Sequence, residues 1–205
     1  MKLTGLIISG CIAAMVGVGM ASHHLEEEKK PIELNIGDQA PAFEAKDDMG
    51  KAWKSEDHVG KKTLVVYFYP AAMTRGCTAQ ACAFRDDKAA LDELGVEVVG
   101  ISGDSAEGQA YFKQAHELNF TLLADSGGKI AEKFGVPVRK GGSLSRMIGE
   151  EEVTLVRDVS ARRWTFIIGT DGKILHKETQ VKAAMDSQNV VAFVKSITEE
   201  SVVSD

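Results

Sequence analysis

The stretch that decides the fold is Thr63-Leu-Val-Val-Tyr-Phe-Tyr69, and Pro70 follows it directly. It contains no charged residue and is rich in β-branched and aromatic side chains, so it predicts a strand that is buried on both faces. Residues 96–102 and residues 120–124 are also rich in aliphatic side chains and predict two more strands. Strands that are buried on both faces are typical of parallel sheets that helices cover on each side.

The segments after these strands have helical patterns. Residues 77–94 predict a helix that ends before Gly95, and residues 105–118 predict a second helix with Ser105 as its N-cap. Residues 129–134 predict a short third helix. This alternation of strands and helices is typical of α/β proteins.

The pattern changes in the last third of the chain. Residues 136–149 predict a loop, and residues 163–168 with 173–177 predict a β-hairpin. Residues 186–197 predict a closing amphipathic helix. Together these elements predict an α/β protein with a thioredoxin-like fold, in which helices flank a central mixed β-sheet. A dinucleotide-binding fold is the competing interpretation, but no G-x-G-x-x-G motif follows the first strand.

Composition excludes several classes of function. The chain has 205 residues, 24 basic against 30 acidic side chains, a net charge of −6 and 44% hydrophobic residues, which predicts a globular domain. The acidic balance argues against nucleic acid or anionic lipid as the main partner. With only 8 Phe, 3 Tyr and 2 Trp, a platform for stacking bases is also disfavoured. We therefore expect no nucleic-acid partner.

The N-terminus has the features of an export signal. Residues 3–21 contain no charge and follow Lys2, which predicts a signal peptide and an exported protein in the periplasm or another extracytoplasmic space. The alternatives are an uncleaved anchor that tethers the chain to the membrane through residues 3–21, or lipidation at Cys11. Residues 22–31 are predicted to be a polar linker that precedes a single domain over residues 32–205.

Two cysteines remain if the first segment is removed, and both lie in the first predicted helix. Cys77 follows the loop after the first central strand, where free backbone N–H groups and the helix dipole stabilise a thiolate. A buried structural cysteine is the alternative. Cys82 lies five residues further on, a spacing that is neither a C-x-x-C redox motif nor a zinc pair.

This spacing also constrains any disulfide. On a continuous helix, residues i and i+5 have Cα atoms about 8.6 Å apart. A disulfide requires Cα atoms within about 7 Å. A Cys77–Cys82 bond therefore requires the first turns of the helix to unwind, and a permanent disulfide is disfavoured.

The sequence Pro70-x-x-x-Thr74-x-x-Cys77 resembles the active-site motif of the peroxiredoxins. The stretch from Thr74 to Cys82 is similar to the branch called bacterioferritin comigratory protein or peroxiredoxin Q, and the resemblance extends from Ile36 to the last helix. It implies a thiol peroxidase that reduces hydrogen peroxide and organic hydroperoxides in antioxidant defence and redox homeostasis. It also implies that a thioredoxin-like or other dithiol reductant regenerates the thiols, without a metal or prosthetic group. We expect the chain to be a monomer, although the sequence itself carries no signal for or against a dimer.

The resemblance also implies a role for each site residue. Cys77 would be the peroxidatic cysteine that becomes a sulfenic acid, and Cys82 the resolving cysteine that forms an intramolecular disulfide with it. Thr74 would bond the thiolate and the peroxide, and Pro70 would shield the sulfur from water. The family's distant arginine corresponds to Arg163, which precedes Trp-Thr-Phe.

Some positions leave alternatives open. Arg163 shares a strand face with Thr165, and Arg162 is the alternative cation. Arg75 stands where the branch usually has Pro. Gln80, at a position where relatives carry Glu or Gln, either tunes the rate at which the disulfide forms (the resolution step) or is a solvated residue of the helix.

A non-enzymatic redox-sensing or interaction module of thioredoxin fold is the alternative function. A disulfide oxidoreductase is a third interpretation, weakened by the missing C-x-x-C.

Overall fold

The computed structural model describes residues 32–203. The signal peptide or anchor predicted for residues 1–21, with Cys11, and the linker predicted for residues 22–31 lie outside the described residues. None of the helices in residues 32–203 combines the length and the apolar character that a membrane crossing requires.

The described residues form nine strands and five α-helices. The strands are β1 (Glu44–Asp47), β2 (Ala52–Lys54), β3 (Thr63–Phe68), β4 (Val96–Ser102), β5 (Thr121–Ala124), β6 (Val138–Ile148), β7 (Glu151–Ala161), β8 (Trp164–Ile168) and β9 (Ile174–Glu178). The helices are α1 (Arg75–Asp86), α2 (Lys88–Glu93), α3 (Ala106–Ala115), α4 (Lys129–Lys133) and α5 (Asp186–Val203). Short 3₁₀ turns lie at Ser55–Asp57 and Ala183–Met185.

Seven strands form the main sheet in the order β2-β1-β5-β4-β3-β8-β9. Strand β4 pairs in parallel with β3 and β5, whereas the other neighbouring pairs are antiparallel. The predicted mixed sheet is therefore confirmed. Because β8 pairs with β3, and β9 pairs with β8 at the edge of the sheet, the C-terminal hairpin brings its first residues to the end of β3 that leads into α1.

Helices cover both faces of this sheet, as predicted. Val65 and Tyr67 of β3 belong to the core that includes residues of α1, α2, α3 and α5. Leu64, Val66 and Phe68 belong to the second core, which includes residues of α4. Consecutive side chains of a strand point to opposite faces, so the continuous apolar run of β3 fills two cores at once.

The prediction of a loop over residues 136–149 is wrong. Residues 138–148 form β6, which pairs with β7 as a separate two-stranded antiparallel sheet. Gly149 and Glu150 form the two-residue turn between them, and Gly149 has a positive φ of 65°, as the first position of a type II′ turn requires. Gly141, which favoured a loop in the sequence, permits close contact of the strands, because a Cβ there would lie 2.2 Å from the carbonyl oxygen of Arg157.

The predicted helices are present with different ends. Helix α1 begins at Arg75, two residues before the predicted start, and the single predicted helix divides at Asp87 into α1 and α2. Ser105 is the N-cap of α3, as predicted, and its side chain accepts a hydrogen bond from the N–H of Gly108. Helix α5 continues to Val203, beyond the predicted end. The antiparallel pair β1–β2 was not predicted.

Candidate active site

The structure places Cys77 in the first turn of α1, as the sequence predicts. Thr74 is the N-cap with extended backbone angles (φ −92°, ψ 147°), so Cys77 is the third helical residue and is 2% exposed. The first N–H groups of a helix have no partner within the helix, and they carry the positive end of its dipole. A thiolate at this position is therefore stabilised electrostatically.

Arg163 is the cation next to this sulfur. It precedes β8, and the pairing of Trp164 with Phe68 brings it to the carboxyl end of β3. Its Nη2 donates a hydrogen bond to the Cys77 Sγ over 3.2 Å. The guanidinium also packs against Gly76, where a Cβ would lie 3.4 Å from the same Nη2, at ordinary van der Waals distance. The other candidate, Arg162, has an exposed side chain.

The other terminal nitrogen of the Arg163 guanidinium, Nη1, belongs to a buried hydrogen-bond network. Arg163 Nη1 donates to Gln80 Oε1, and Gln80 Nε2 donates to Asp186 Oδ2 over 2.6 Å. Thr165 Oγ1 donates to the same carboxylate oxygen over 2.8 Å. Burial raises the pKa of Asp186, while these donated hydrogen bonds oppose the rise. Gln80 is fully buried, so its interpretation as a solvated helix residue is wrong.

The loop between β3 and α1 carries Pro70 and Thr74. Pro70 and Arg163 line one cavity of about 420 Å³, together with Val138 and Ala161. The Thr74 hydroxyl donates to the Ala71 carbonyl oxygen over 2.9 Å. A hydroxyl has one proton, so in this arrangement the Thr74 oxygen is available only as an acceptor.

A second buried network anchors this loop. The N–H of Ala72 donates to Asp104 Oδ2 over 2.8 Å, and Ser102 Oγ donates to the same oxygen over 2.8 Å. Arg157 Nε of β7 forms an ion pair with Asp104 Oδ1 at 3.0 Å, with side chains that are 8% and 0% exposed. The two-stranded sheet is thus bonded to the loop beneath the site through one carboxylate. The sequence analysis singled out neither Asp104 nor Arg157.

Cys82 lies on α1 with Cys77, and it is only partly buried. Both thiols are free, and the helix is continuous from Arg75 to Asp86. The geometrical premise of the sequence prediction therefore holds, because a continuous helix separates the two Cα atoms by about 8.6 Å.

Comparison with known proteins agrees with this geometry. The model of the AhpC/TSA family matches residues 36–177. The chain belongs to the AhpC/TSA family. Within this family it is similar to the Peroxiredoxin Bcp of Escherichia coli strain K12, with 38% identity over 162 residues, which is 79% of this chain and 96% of that protein. The Peroxiredoxin Bcp of Bacillus subtilis is 35% identical over 167 residues, 82% of this chain and 99% of that protein.

Solved structures of AhpC/TSA relatives show the same fold. Peroxidoxin BcpB from Mycobacterium tuberculosis aligns with a TM-score of 0.67 and 31% identity over 80% of this chain and 99% of that chain. The bacterioferritin comigratory protein of Xanthomonas campestris aligns with a TM-score of 0.62 and 23% identity over 75% of this chain and 90% of that chain. The predictions of a thioredoxin-like fold and of a peroxiredoxin are confirmed. This AhpC/TSA protein is a thiol peroxidase with an antioxidant function, and the non-enzymatic alternative is not favoured.

Proposed function

We propose that Cys77 is the peroxidatic cysteine of this peroxidase and that Arg163 is its catalytic cation. The observation that carries the proposal is the 3.2 Å hydrogen bond from Arg163 to the sulfur at the start of α1. The Cys77 thiolate attacks the terminal oxygen of a hydroperoxide, and the S–O bond forms as the O–O bond breaks. The electron pair leaves with the alkoxide or hydroxide, which takes a proton and departs as alcohol or water. Arg163 stabilises the negative charge during this transfer.

Thr74 and Pro70 complete the site. The oxygen of Thr74 accepts a hydrogen bond from the hydroperoxide, because its own proton is donated to Ala71. Pro70 covers the approach to the sulfur and excludes bulk water. The substrates are hydrogen peroxide and small organic hydroperoxides, and the cavity of about 420 Å³ beside Pro70 has room for an organic group. Alkyl peroxide reduction is described for the Xanthomonas relative, which supports this class.

Cys82 is the resolving cysteine in this scheme. Its sulfur attacks the sulfur of the Cys77 sulfenic acid, the S–S bond forms as the S–O bond breaks, and hydroxide leaves with a proton as water. A thioredoxin-like or other dithiol reductant then reduces the disulfide and regenerates both thiols. The position of Cys82 on the same helix as Cys77, five residues further on, supports an intramolecular rather than an intermolecular disulfide.

The cellular location and the oligomeric state of the protein are part of the same proposal. The uncharged segment of residues 3–21 supports export to the periplasm or another extracytoplasmic space, where we propose that the protein acts as a monomer. A tether to the membrane through that segment is the alternative, and the mass of the mature N-terminus from exporting cells distinguishes the two.

Single substitutions of the three cysteines test this assignment. Cys77→Ser should abolish peroxide consumption, whereas Cys82→Ser should permit one turnover and leave a sulfenic acid that dimedone traps. Cys11→Ser, assayed in the full chain with residues 1–21 retained, is the matched control and should keep the full rate of peroxide consumption. Mass spectrometry after one equivalent of peroxide should show a Cys77–Cys82 bond in the unmodified protein. Steady-state activity in the Cys77 variant would refute the proposal.

A further inference from the structure

Asp186 is a buried carboxylate that lies outside the active-site motif. It is the first residue of α5, it is 2% exposed, and its Oδ2 accepts hydrogen bonds from Gln80 of α1 and Thr165 of β8. Burial of an ionisable side chain is costly unless it is well bonded, which is why such residues are rare in protein interiors. Asp186 therefore calls for an explanation that packing of α5 alone does not supply.

The partners of Gln80 fix the orientation of its side chain. A guanidinium can only donate hydrogen bonds, and an ionised carboxylate can only accept them. The Gln80 amide lies between Arg163 and Asp186, so only the orientation with Oε1 toward Arg163 and Nε2 toward Asp186 satisfies both. Asp186 thus acts on the guanidinium next to Cys77 through one intermediate side chain.

Gln80 also lies within the segment that must unwind. It is between Cys77 and Cys82, and these residues cannot form a disulfide while this part of α1 is helical. Unwinding moves the Gln80 backbone and so removes its side chain from Asp186. We therefore expect the Gln80–Asp186 hydrogen bond to break each time the disulfide forms.

We propose that Asp186 is a positioning residue that holds the Cys77–Cys82 segment helical and thereby sets the rate of disulfide formation. This inference rests on the proposed roles of the two cysteines. A longer-lived helix prolongs the life of the Cys77 sulfenic acid. That acid then has more time to react with a second hydroperoxide, which transfers one oxygen to the sulfur to give a sulfinic acid and leaves as alcohol or water.

The next residue of the same helix provides a matched control. Ser187 Oγ donates to Asp87 Oδ2 over 2.7 Å, so α5 also contacts the C-terminal end of α1. Asp87 follows Cys82 and lies outside the segment that unwinds. The Ser187–Asp87 bond therefore contributes to the packing of α5 on α1 without opposing disulfide formation.

The test measures the two chemical steps separately by rapid quenching and mass spectrometry of the full chain. After a pulse of hydrogen peroxide, dimedone reports the sulfenic acid, and a mass decrease of two hydrogen atoms reports the disulfide. We expect Asp186→Ala to form the disulfide about tenfold faster than the unmodified protein, because a buried bond to a carboxylate no longer opposes unwinding. The hydrogen peroxide concentration that converts half of the protein to sulfinic acid should rise by about the same factor.

Two further variants keep the inference falsifiable. Asp186→Asn retains an acceptor oxygen for Gln80 and Thr165 and should resolve within about threefold of the unmodified rate. Ser187→Ala should leave the resolution rate unchanged. An unmodified resolution rate in Asp186→Ala, or the same acceleration in Ser187→Ala, would overturn the inference. Either result is distinct from a failure of the proposed function, in which no Cys77–Cys82 disulfide forms in any variant.

Discussion

Asp104 and Asp186 are both buried carboxylates in hydrogen-bond networks that reach the active site, yet the two networks differ in whether they can persist through the reaction cycle. Asp104 binds the loop residue Ala72 and the cation Arg157. Neither partner lies between the two cysteines, so this network can persist throughout the reaction cycle. Asp186 binds Gln80, which does lie between them. One network supports a fixed platform for the thiolate, whereas the other must break whenever α1 unwinds.

The chemistry of each network suits its task. The Asp104–Arg157 pair joins two charges that are almost fully buried, and breaking such a pair leaves an uncompensated charge at a cost of several kcal/mol. The Gln80 and Thr165 groups that bond Asp186 are uncharged. The net contribution of a hydrogen bond to a charged group is about 1.5–3 kcal/mol, which thermal motion can overcome on the timescale of turnover. The carboxylate of the permanent network is thus held by a direct ion pair, whereas the carboxylate of the network that is released accepts hydrogen bonds from the neutral side chains Gln80 and Thr165.

The largest expected effect concerns Arg163, where the releasable network reaches the sulfur. Arg163→Met should lower the second-order rate constant for hydrogen peroxide by about 10²–10³-fold, because it removes the donor that stabilises charge in the transition state. Stopped-flow measurement of Cys77 oxidation under excess peroxide provides this constant. The control is the neighbouring Arg162→Met, which also lines the cavity beside Pro70 but has an exposed side chain, and it should react with hydrogen peroxide at nearly the unmodified rate. Equal losses in both variants would show that general positive charge, rather than the contact with the sulfur, accelerates the reaction.

A smaller effect is expected at the permanent network. Asp104→Ala should lower the free energy of unfolding by about 3 kcal/mol, because it leaves Arg157 buried without a counter-charge. Urea denaturation provides this value, and the rate of disulfide formation in the folded protein should change less than twofold. Asp92→Ala, which removes the exposed pair with Lys88, should cost about 0.5 kcal/mol or less. Faster disulfide formation in the Asp104 variant would contradict the separation of the two networks.

The sequence predicted those parts of the molecule that local signals determine. The apolar run of β3 required burial on both faces, and Ser105 capped its helix, because each depends on neighbouring residues alone. Cys77 and Arg163 came from the family motif and from strand alternation, and the structure brings them into contact.

The parts that the sequence did not predict depend on tertiary contacts. Gly141 favoured a loop, since its role in the close approach of β7 becomes evident only when the two strands are paired. In the sequence, the helix dipole is a sufficient reason for an aspartate at the start of a helix, so nothing there indicated that Asp186 is buried or that it has a second role. Its partner Gln80 is 106 residues away in the sequence, and only the fold brings them together.

The smallest expected effect concerns Arg75, which begins the segment that unwinds. Arg75 is the first residue of α1, and Thr74 before it has the extended backbone that a residue before proline prefers. Arg75→Pro should raise the free energy of unfolding by about 0.4–1 kcal/mol. Proline fits the first position of a helix, and it reduces the conformational freedom of the unfolded chain. Disulfide formation should slow by about two- to fivefold for the same reason, since the unwound segment gains less conformational freedom.

The comparison variant for this test is Arg75→Ala, which removes the same positive charge without restricting the backbone. It should resolve at close to the unmodified rate, as measured by the quenched-flow assay used for Asp186. If the proline and alanine variants resolve equally fast, stiffness of the first turn does not limit unwinding. The rate would then be set further along α1, where Gln80 contacts Asp186, and the barrier to resolution would lie in side-chain contacts rather than in the backbone.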